Sequence, residues 1–156
     1  MIHFFYQKGI TILEILIVIA VIGLLVLIVS PRFSDIRENQ VLKNTIEDIT
    51  SSVHTAKSQS LASVDSSEYG VHFKSNQIII FKGKIFSEGV GSNVLIDVVS
   101  PASILNVTLG GVSSSSGNLY FERLSGAPSK TGTVTISTVS YTKIITISAT
   151  GNVSVN

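Results

Sequence analysis

The chain contains 156 residues, of which 44% are hydrophobic and only 13% are charged, and its formal net charge is +1. This length suits one modest domain with an additional segment, and the near-neutral charge without a basic run creates no electrostatic requirement for nucleic acid or an anionic surface. Cysteine is absent, which excludes disulfides, thiolate metal sites and a cysteine nucleophile.

The N-terminal third holds an apolar stretch of membrane-spanning length. Between positions 10 and 29 the only charge is that of Glu14, and about twenty predominantly apolar residues are needed to cross a bilayer. A cleaved secretory signal would be followed by small residues at its cleavage site, but Ser30, Pro31 and Arg32 follow this stretch. We therefore expect the segment to remain in the mature protein, with the N-terminus in the cytoplasm and the C-terminal domain on the outer side of the inner membrane.

Helical spacing continues after the apolar stretch. Steps of three or four residues place one apolar stripe on a helix face, and polar residues lie between its members. The stripe comprises Leu42, Ile46, Ile49, Val53, Ala56 and either Ser60 or Leu61. We predict one helix from Ile10 to about Ala62, membrane-spanning over 10–31 and amphipathic in the region 32–65. A kink or local unwinding is expected at Pro31, because the proline ring removes a donor and clashes with the preceding turn.

From position 66 onward the pattern changes to short β-rich runs separated by turn signals. The predicted strands are Tyr69–Phe73, Gln77–Lys82, Val94–Val99, Ile104–Leu109, Leu119–Arg123, Thr133–Thr138, Lys143–Ser148 and Val153–Val155. The first two and the last two are expected to form hairpins. A segment of this size cannot bury both faces of its sheets, so the amphipathic half of the helix is expected to cover one. The predicted fold is α+β: a long helix packed on antiparallel sheets of a domain 66–156.

Glu14 is the most informative single residue of the N-terminal segment. A charge in hydrocarbon costs several kcal/mol, roughly 2.5–3.5 on insertion scales, so it requires compensation. Cleavage after Gly9 would create a cation, the α-amino group of Ile10, four residues before the carboxylate. Alternatively, Glu14 stabilises only the start of its own helix, where a negative charge suits the dipole.

Gly9, Ile10, Glu14 and Pro31 together resemble the N-terminus of type IV pilin-like proteins. The resemblance implies that 1–9 is a leader, that a prepilin peptidase cuts after Gly9, and that the Ile10 amine is methylated. The subunit would then wait in the membrane lipid as a single-pass protein until an ATPase-driven inner-membrane assembly platform extracts it into a filament. Glu14 would pair with the Ile10 amine of a neighbouring subunit and set the assembly register.

The C-terminal third resembles a narrower group, the minor pilins and pseudopilins of the H subunit type. The resemblance rests on the segments 120–128, 133–137 and 145–153: a turn with Gly126 and Pro128, a strand, and a closing hairpin that ends near T-G-x-V. That group serves both type II secretion and type IV pili. It implies a pilin-like ladle and a role in the tip or initiation complex of either system.

Other motifs carry no chemistry. The histidines, His3, His54 and His72, lack metal spacing, and no nucleophile or acid–base constellation is present, so we expect neither a metal, a cofactor nor an enzyme. The serine-rich run 113–117 is predicted to be a flexible loop.

The sequence is compatible with three functions. The first is a non-catalytic minor pilin or pseudopilin that assembles with other pilin subunits. The second is a DNA-binding minor pilin of natural transformation, in which Lys74, Lys82 and Lys84 contact phosphates beside nearby phenylalanines. Solvated strand ends explain these lysines equally well. The third is a membrane-anchored β domain with no role in a filament.

Overall fold

The computed structural model describes residues 9–156, and it describes the side chains of all of these except 28–34. One helix, α1, covers Ile12–Leu61, and a short 3-10 helix covers Val64–Ser66. The strands are β1 Tyr69–Lys74, β2 Gln77–Lys82, β3 Val94–Asp97, β4 Ser103–Leu109, β5 Val112–Ser114, β6 Gly117–Phe121, β7 Gly132–Ser137, β8 Thr142–Ile147 and β9 Val153–Val155. The expected α+β fold with an N-terminal helix packed on antiparallel sheets is confirmed.

The chain divides into two compact units between Ile36 and Arg37. In the described part of the first unit, the side chains from Ile10 to Leu27 are all exposed. The helical assignment of α1 continues through position 31, so the local unwinding expected there is not observed. The predicted kink at Pro31 stays a prediction. The proposed leader, 1–9, lies outside the described residues except for Gly9.

The second unit, Arg37–Asn156, contains two antiparallel sheets. The first has the strand order β3-β2-β1-β6 and the second has the order β5-β4-β7-β8-β9. The two hairpins predicted from the sequence are confirmed, because β1 pairs with β2 and β8 pairs with β9. Three other neighbouring pairs are also consecutive in the chain, β2 with β3, β4 with β5 and β7 with β8, whereas β6 beside β1 and β7 beside β4 are distant in the chain.

The core of this unit lies between the sheets and the apolar stripe of α1. Leu42, Ile49, Val53 and Ala56 are buried in one cluster with residues of both sheets, and Ile46 packs against that cluster. Ser60 is fully buried at the end of the stripe, whereas 43% of Leu61 is exposed. The predicted stripe is therefore confirmed, and its last member is the serine.

The serine-rich segment differs from the prediction. The predicted flexible loop over 113–117 is wrong at both ends: β5 includes Ser113 and Ser114, and β6 begins at Gly117. The reason is the two-residue turn formed by Gly110 and Gly111, both at positive φ, which reverses the chain and pairs Leu109 with Val112. An exposed edge strand can contain serines without loss of packing. The serine-rich composition therefore gave no signal for this strand.

Candidate functional site

Thr11 caps the start of α1. Its backbone carbonyl accepts hydrogen bonds from the N–H groups of Glu14 at 3.1 Å and Ile15 at 3.2 Å. Its hydroxyl Oγ1 accepts from the Glu14 N–H at 3.2 Å. The first amides of a helix lack intrahelical partners, and a threonine at the N-cap satisfies one of them. This cap was missed in the sequence, although a threonine followed three residues later by a glutamate is a recognised start signal.

Glu14 therefore occupies the first turn of α1, where the helix dipole favours a negative charge. Its carboxylate has no hydrogen bond or ion pair within the part of the chain that the structure describes. The surrounding surface is a shallow apolar depression lined by Ile10, Ile15, Val18 and Ile19. The helix cap thus uses the backbone amide of Glu14 and leaves its carboxylate available for another group.

The apolar residues around Glu14 are open to their surroundings. Every Ile, Leu and Val between positions 10 and 27 is at least 50% exposed. Soluble monomers rarely expose a continuous apolar surface larger than a few hundred Å², and a helix that is apolar and exposed on all sides is not typical of them. Among the residues described, none of the helices combines the length and the apolar composition of a membrane span.

The lysines considered for DNA contact lie around the β1–β2 hairpin, and each has a carboxylate partner. Lys74 pairs with Glu88, Lys82 with Asp65 at 3.1 Å, and Lys84 with Glu68 at 3.6 Å and Glu122 at 3.4 Å. Hydrogen bonding by Lys82 lowers the pKa of Asp65, and hydrogen bonding by Lys74 lowers the pKa of Glu88. The positive charges are therefore offset locally by carboxylates.

The aromatic residues beside these lysines are mostly unavailable for stacking on bases. Phe73 and Phe81 are buried. Phe86 stacks on His72 with ring centroids 3.9 Å apart and meets Phe81 edge-on at 5.6 Å. The structure thus brings the predicted lysines together with neighbouring acids, and DNA contact by them stays a prediction.

The C-terminal segments that resemble the H subunit type meet at the end of α1. Leu124 donates its N–H to the Ser60 carbonyl at 3.0 Å. The ammonium group of Lys57 donates to the Thr150 carbonyl at 2.8 Å and to Asn152 Oδ1 at 3.3 Å. The turn that contains Gly126 and the closing hairpin are thereby both attached to the helix.

The histidines do not converge. His54 is exposed on α1, whereas His72 is half-buried on β1. The Nδ1 atom of His72 is buried and makes no hydrogen bond, and desolvation lowers the pKa of this imidazole. Among the described residues, no group of three potential metal ligands occurs. His3 lies outside the described residues.

Comparison with known proteins identifies the N-terminal signal. The prokaryotic N-terminal methylation motif matches the chain over residues 5–30. A search of curated proteins and a search of solved structures each found no match. The matched range contains Gly9, Ile10 and Glu14. The chain thus carries a type IV pilin-like signal, which implies processing by a prepilin peptidase, membrane anchoring and assembly with pilin subunits.

Proposed function

We propose that this chain is a non-catalytic minor pilin or pseudopilin. The prepilin peptidase cuts after Gly9 and the new N-terminal amine of Ile10 is methylated. The mature subunit is stored as a single-pass protein of the inner membrane, with its C-terminal domain on the outer side. It then joins the tip or initiation complex of a type II secretion pseudopilus or a type IV pilus.

The observation that carries this proposal is the carboxylate of Glu14, which has no partner among the described residues and lies within an exposed apolar part of the helix. In a bilayer or a filament interior, a lone carboxylate is costly, while a matched cation nearby recovers much of that cost. Thr11 already caps the helix through the backbone amide of Glu14. The α-amine of Ile10 in a neighbouring subunit is the partner that processing creates.

Two features favour a minor subunit over a major shaft protein. The β-rich part is short, and its closing segments resemble the H subunit type. Two of the three resembling segments, 120–128 and 145–153, are attached to the end of α1 through Ser60 and Lys57, which supports a shared architecture for that end of the domain.

The experiment follows processing and incorporation of Glu14→Gln in a strain that carries the peptidase and the assembly platform. We expect the mature chain to begin with methylated Ile10 by mass spectrometry. We expect Glu14→Gln to be processed but to enter filaments at least about tenfold less, since breaking a buried charge pair costs about 3–5 kcal/mol. Incorporation is measured by cross-linking to neighbouring subunits in sheared or purified filaments.

The matched control is Glu47→Gln, which neutralises an exposed glutamate on the polar face of the same helix. It should assemble like the parent chain. An intact Met1 would leave only the membrane-anchored β domain, and normal incorporation of Glu14→Gln would remove the register role.

A further inference from the structure

A segment without helix or strand lies on the outer face of the first sheet. The core cluster contains alternate residues of β1 and β2, so the intervening His72, Ile79 and Phe81 lie on the opposite, outer face. Residues 84–93, which connect β2 to β3, contact this face through the ring of Phe86. We call residues 84–93 the flap.

The flap is weakly integrated into the fold. Each of its residues except Phe86 and Asn93 is exposed. Among the described residues, its backbone amides and carbonyls form one mutual hydrogen bond, from the Asn93 N–H to the Val90 carbonyl at 3.0 Å, and none to the rest of the chain. Segments with few buried contacts and few backbone hydrogen bonds open at a low cost in free energy.

Two side chains near the middle of the flap attach it to the sheet. The ring of Phe86 lies parallel to the imidazole of His72, with the centroids 3.9 Å apart, and meets Phe81 edge-on at 5.6 Å. The carboxylate of Glu88 pairs with Lys74, but Glu88 is exposed and an exposed ion pair contributes little to stability. The stacking of Phe86 is therefore the main attachment.

The packing beneath the flap is incomplete. A cavity of about 80 Å³ lies between the flap and the strands β2 and β3. Ile79 and Leu95 line it from the strands, and Phe86 and Val90 line it from the flap. Voids larger than a water molecule are few in close-packed protein interiors. Opening of the flap thus breaks few contacts, and it exposes Ile79, of which only 2% is accessible when the flap is closed.

The imidazole beneath Phe86 is placed where a proton is unfavourable. The Nδ1 atom of His72 is buried and has no hydrogen-bond partner. A protonated imidazole carries an N–H at both nitrogens, so proton uptake in the closed form creates a buried, charged donor without an acceptor. Desolvation accordingly lowers the pKa of His72. Departure of Phe86 admits water to Nδ1 and removes this penalty.

The charges that face His72 are few and act in opposite directions. Less strongly than desolvation, Lys74 on the same strand lowers the pKa of His72, and Glu88 on the flap raises it. The cross-strand neighbours of His72, Ile79 on β2 and Asn118 on β6, carry no charge. The other titratable groups around the flap contact one another: Lys84 pairs with Glu68 and Glu122 and lies over the ring of Tyr120.

We propose that the flap is an acid-released cover, which opens when His72 takes up a proton and then exposes the apolar outer face of the first sheet at Ile79 and Phe81. The open form binds the proton more tightly than the closed form. The open fraction therefore rises as the pH falls below about 6.5, the ordinary pKa of a hydrated imidazole. This device lies within the second unit and is independent of the filament role.

Pairs of spin labels can report the opening, because the full chain contains no cysteine. Ile85→Cys places one label on the flap and Val112→Cys places the other on β5, and both side chains are exposed. Pulsed electron paramagnetic resonance measures the distance between the labels in detergent at pH 7.5 and pH 5.5. The matched control pair is Val112→Cys with Leu124→Cys, since Leu124 is exposed and lies outside the flap.

For the flap pair we expect one narrow distance at pH 7.5 and a longer-distance population that is several-fold larger at pH 5.5, while the control pair stays constant. His72→Phe keeps a ring for stacking but cannot be protonated, so it should abolish the response. Phe86→Leu should show the longer distance already at pH 7.5.

A flap pair that does not respond to pH would overturn the proposal. An undiminished response in both His72→Phe and His72→Gln would overturn it as well, because protonation of another group would then open the flap.

Discussion

Gly70 on β1 occupies a position that no larger residue fits. A β-carbon there would lie 2.5 Å from the Leu119 carbonyl oxygen and would overlap the ring of Phe81, its cross-strand partner. Leu119 belongs to the neighbouring strand β6, so the obstacle includes backbone and cannot be removed by rotating a side chain. The turn glycines of a β-rich sequence are recognisable from the sequence. The requirement for glycine at position 70 is not, because it comes from β2 and β6, which pair with β1 on opposite sides.

We predict that Gly70→Ala lowers the free energy of unfolding by about 1–3 kcal/mol, because overpacking forces strand and side-chain shifts. Denaturant unfolding of the full chain in detergent measures the change. Gly91→Ala is the control, since no atom lies within 4 Å of a β-carbon at that position. A loss of the same size in both variants would refute the packing argument.

His72 makes part of the first sheet sensitive to acid. Desolvation chiefly, and the charge of Lys74 secondarily, lower its pKa below the ordinary 6.5, while Glu88 acts in the opposite direction. Between the lowered pKa and 6.5 the unfolded chain binds more protons than the folded chain. Stability contributed by neutral His72 is therefore complete above pH 6.5 and decreases as the pH falls below it.

We predict that the melting temperature of the parent chain falls between pH 7.5 and pH 5.5 and that His72→Gln reduces this fall. This pH range lies above the range in which Asp65 and Glu88 bind protons, because the pKa values of both carboxylates are lowered. Differential scanning calorimetry at several pH values measures the slope of melting temperature against pH. His54→Gln is the control, because it removes an imidazole elsewhere in the chain. An unchanged slope in His72→Gln would exclude this residue as its source.

The end of α1 shows how an element depends on its partners. Ser60 is fully buried, accepts a hydrogen bond from the Tyr69 N–H at 2.8 Å and lies 3.3 Å from the Tyr69 carbonyl, to which it donates. One side chain thus joins the helix to the first residue of β1. Helical periodicity left Ser60 and Leu61 as alternatives for the last member of the stripe, and the hydrogen bonds explain why the buried position accommodates the polar residue.

We predict that Ser60→Ala destabilises the chain by about 1–3 kcal/mol, because the buried Tyr69 amide loses its partner. Backbone amides at the start of β1 should exchange faster in Ser60→Ala than in the parent chain, as measured by hydrogen exchange with mass spectrometry. Ser58→Ala, on the exposed side of the same turn, should change stability by about 0.5 kcal/mol or less. Equal effects of the two variants would contradict the role assigned to the hydrogen bonds.

At the scale of the whole molecule, charge is evenly balanced. The net charge is +1, and the lysines around the β1–β2 hairpin are paired with carboxylates. Affinity for DNA arises mainly from cations that neutralise phosphates, and cations already paired with acids must first exchange those partners. The arrangement therefore favours the filament role over the DNA-binding alternative.

We predict that the full chain in detergent shows no salt-dependent DNA binding at low ionic strength, measured by fluorescence anisotropy of a labelled duplex and a single strand. A variant with glutamine at Glu68, Glu88 and Glu122, which removes the carboxylate partners of Lys74 and Lys84, is the informative comparison. Salt-sensitive binding by the parent that disappears when Lys74, Lys82 and Lys84 become glutamine would revive the alternative.

The elements of this protein could be predicted from sequence because their signals are local. A period near 3.6 revealed the stripe on α1, and short alternating runs between turn residues revealed most strands and both terminal hairpins. The processing signal is equally local, since Gly9, Ile10 and Glu14 lie within six consecutive positions. The edge strand β5 was missed because its exposed serines carry no apolar pattern.

Local patterns of residues specify the helix, most of the strands and the N-terminal signal, because each depends on neighbours a few residues apart. The sharing of strands between the two sheets, the pairing of the hairpin lysines with acids and the contact of one turn with Glu38 become visible only in the folded chain. Those contacts join residues far apart in the chain, up to the 102 positions between Glu38 and Ser140. They form because one arrangement buries the apolar faces of α1 and both sheets together, and no local pattern specifies that arrangement.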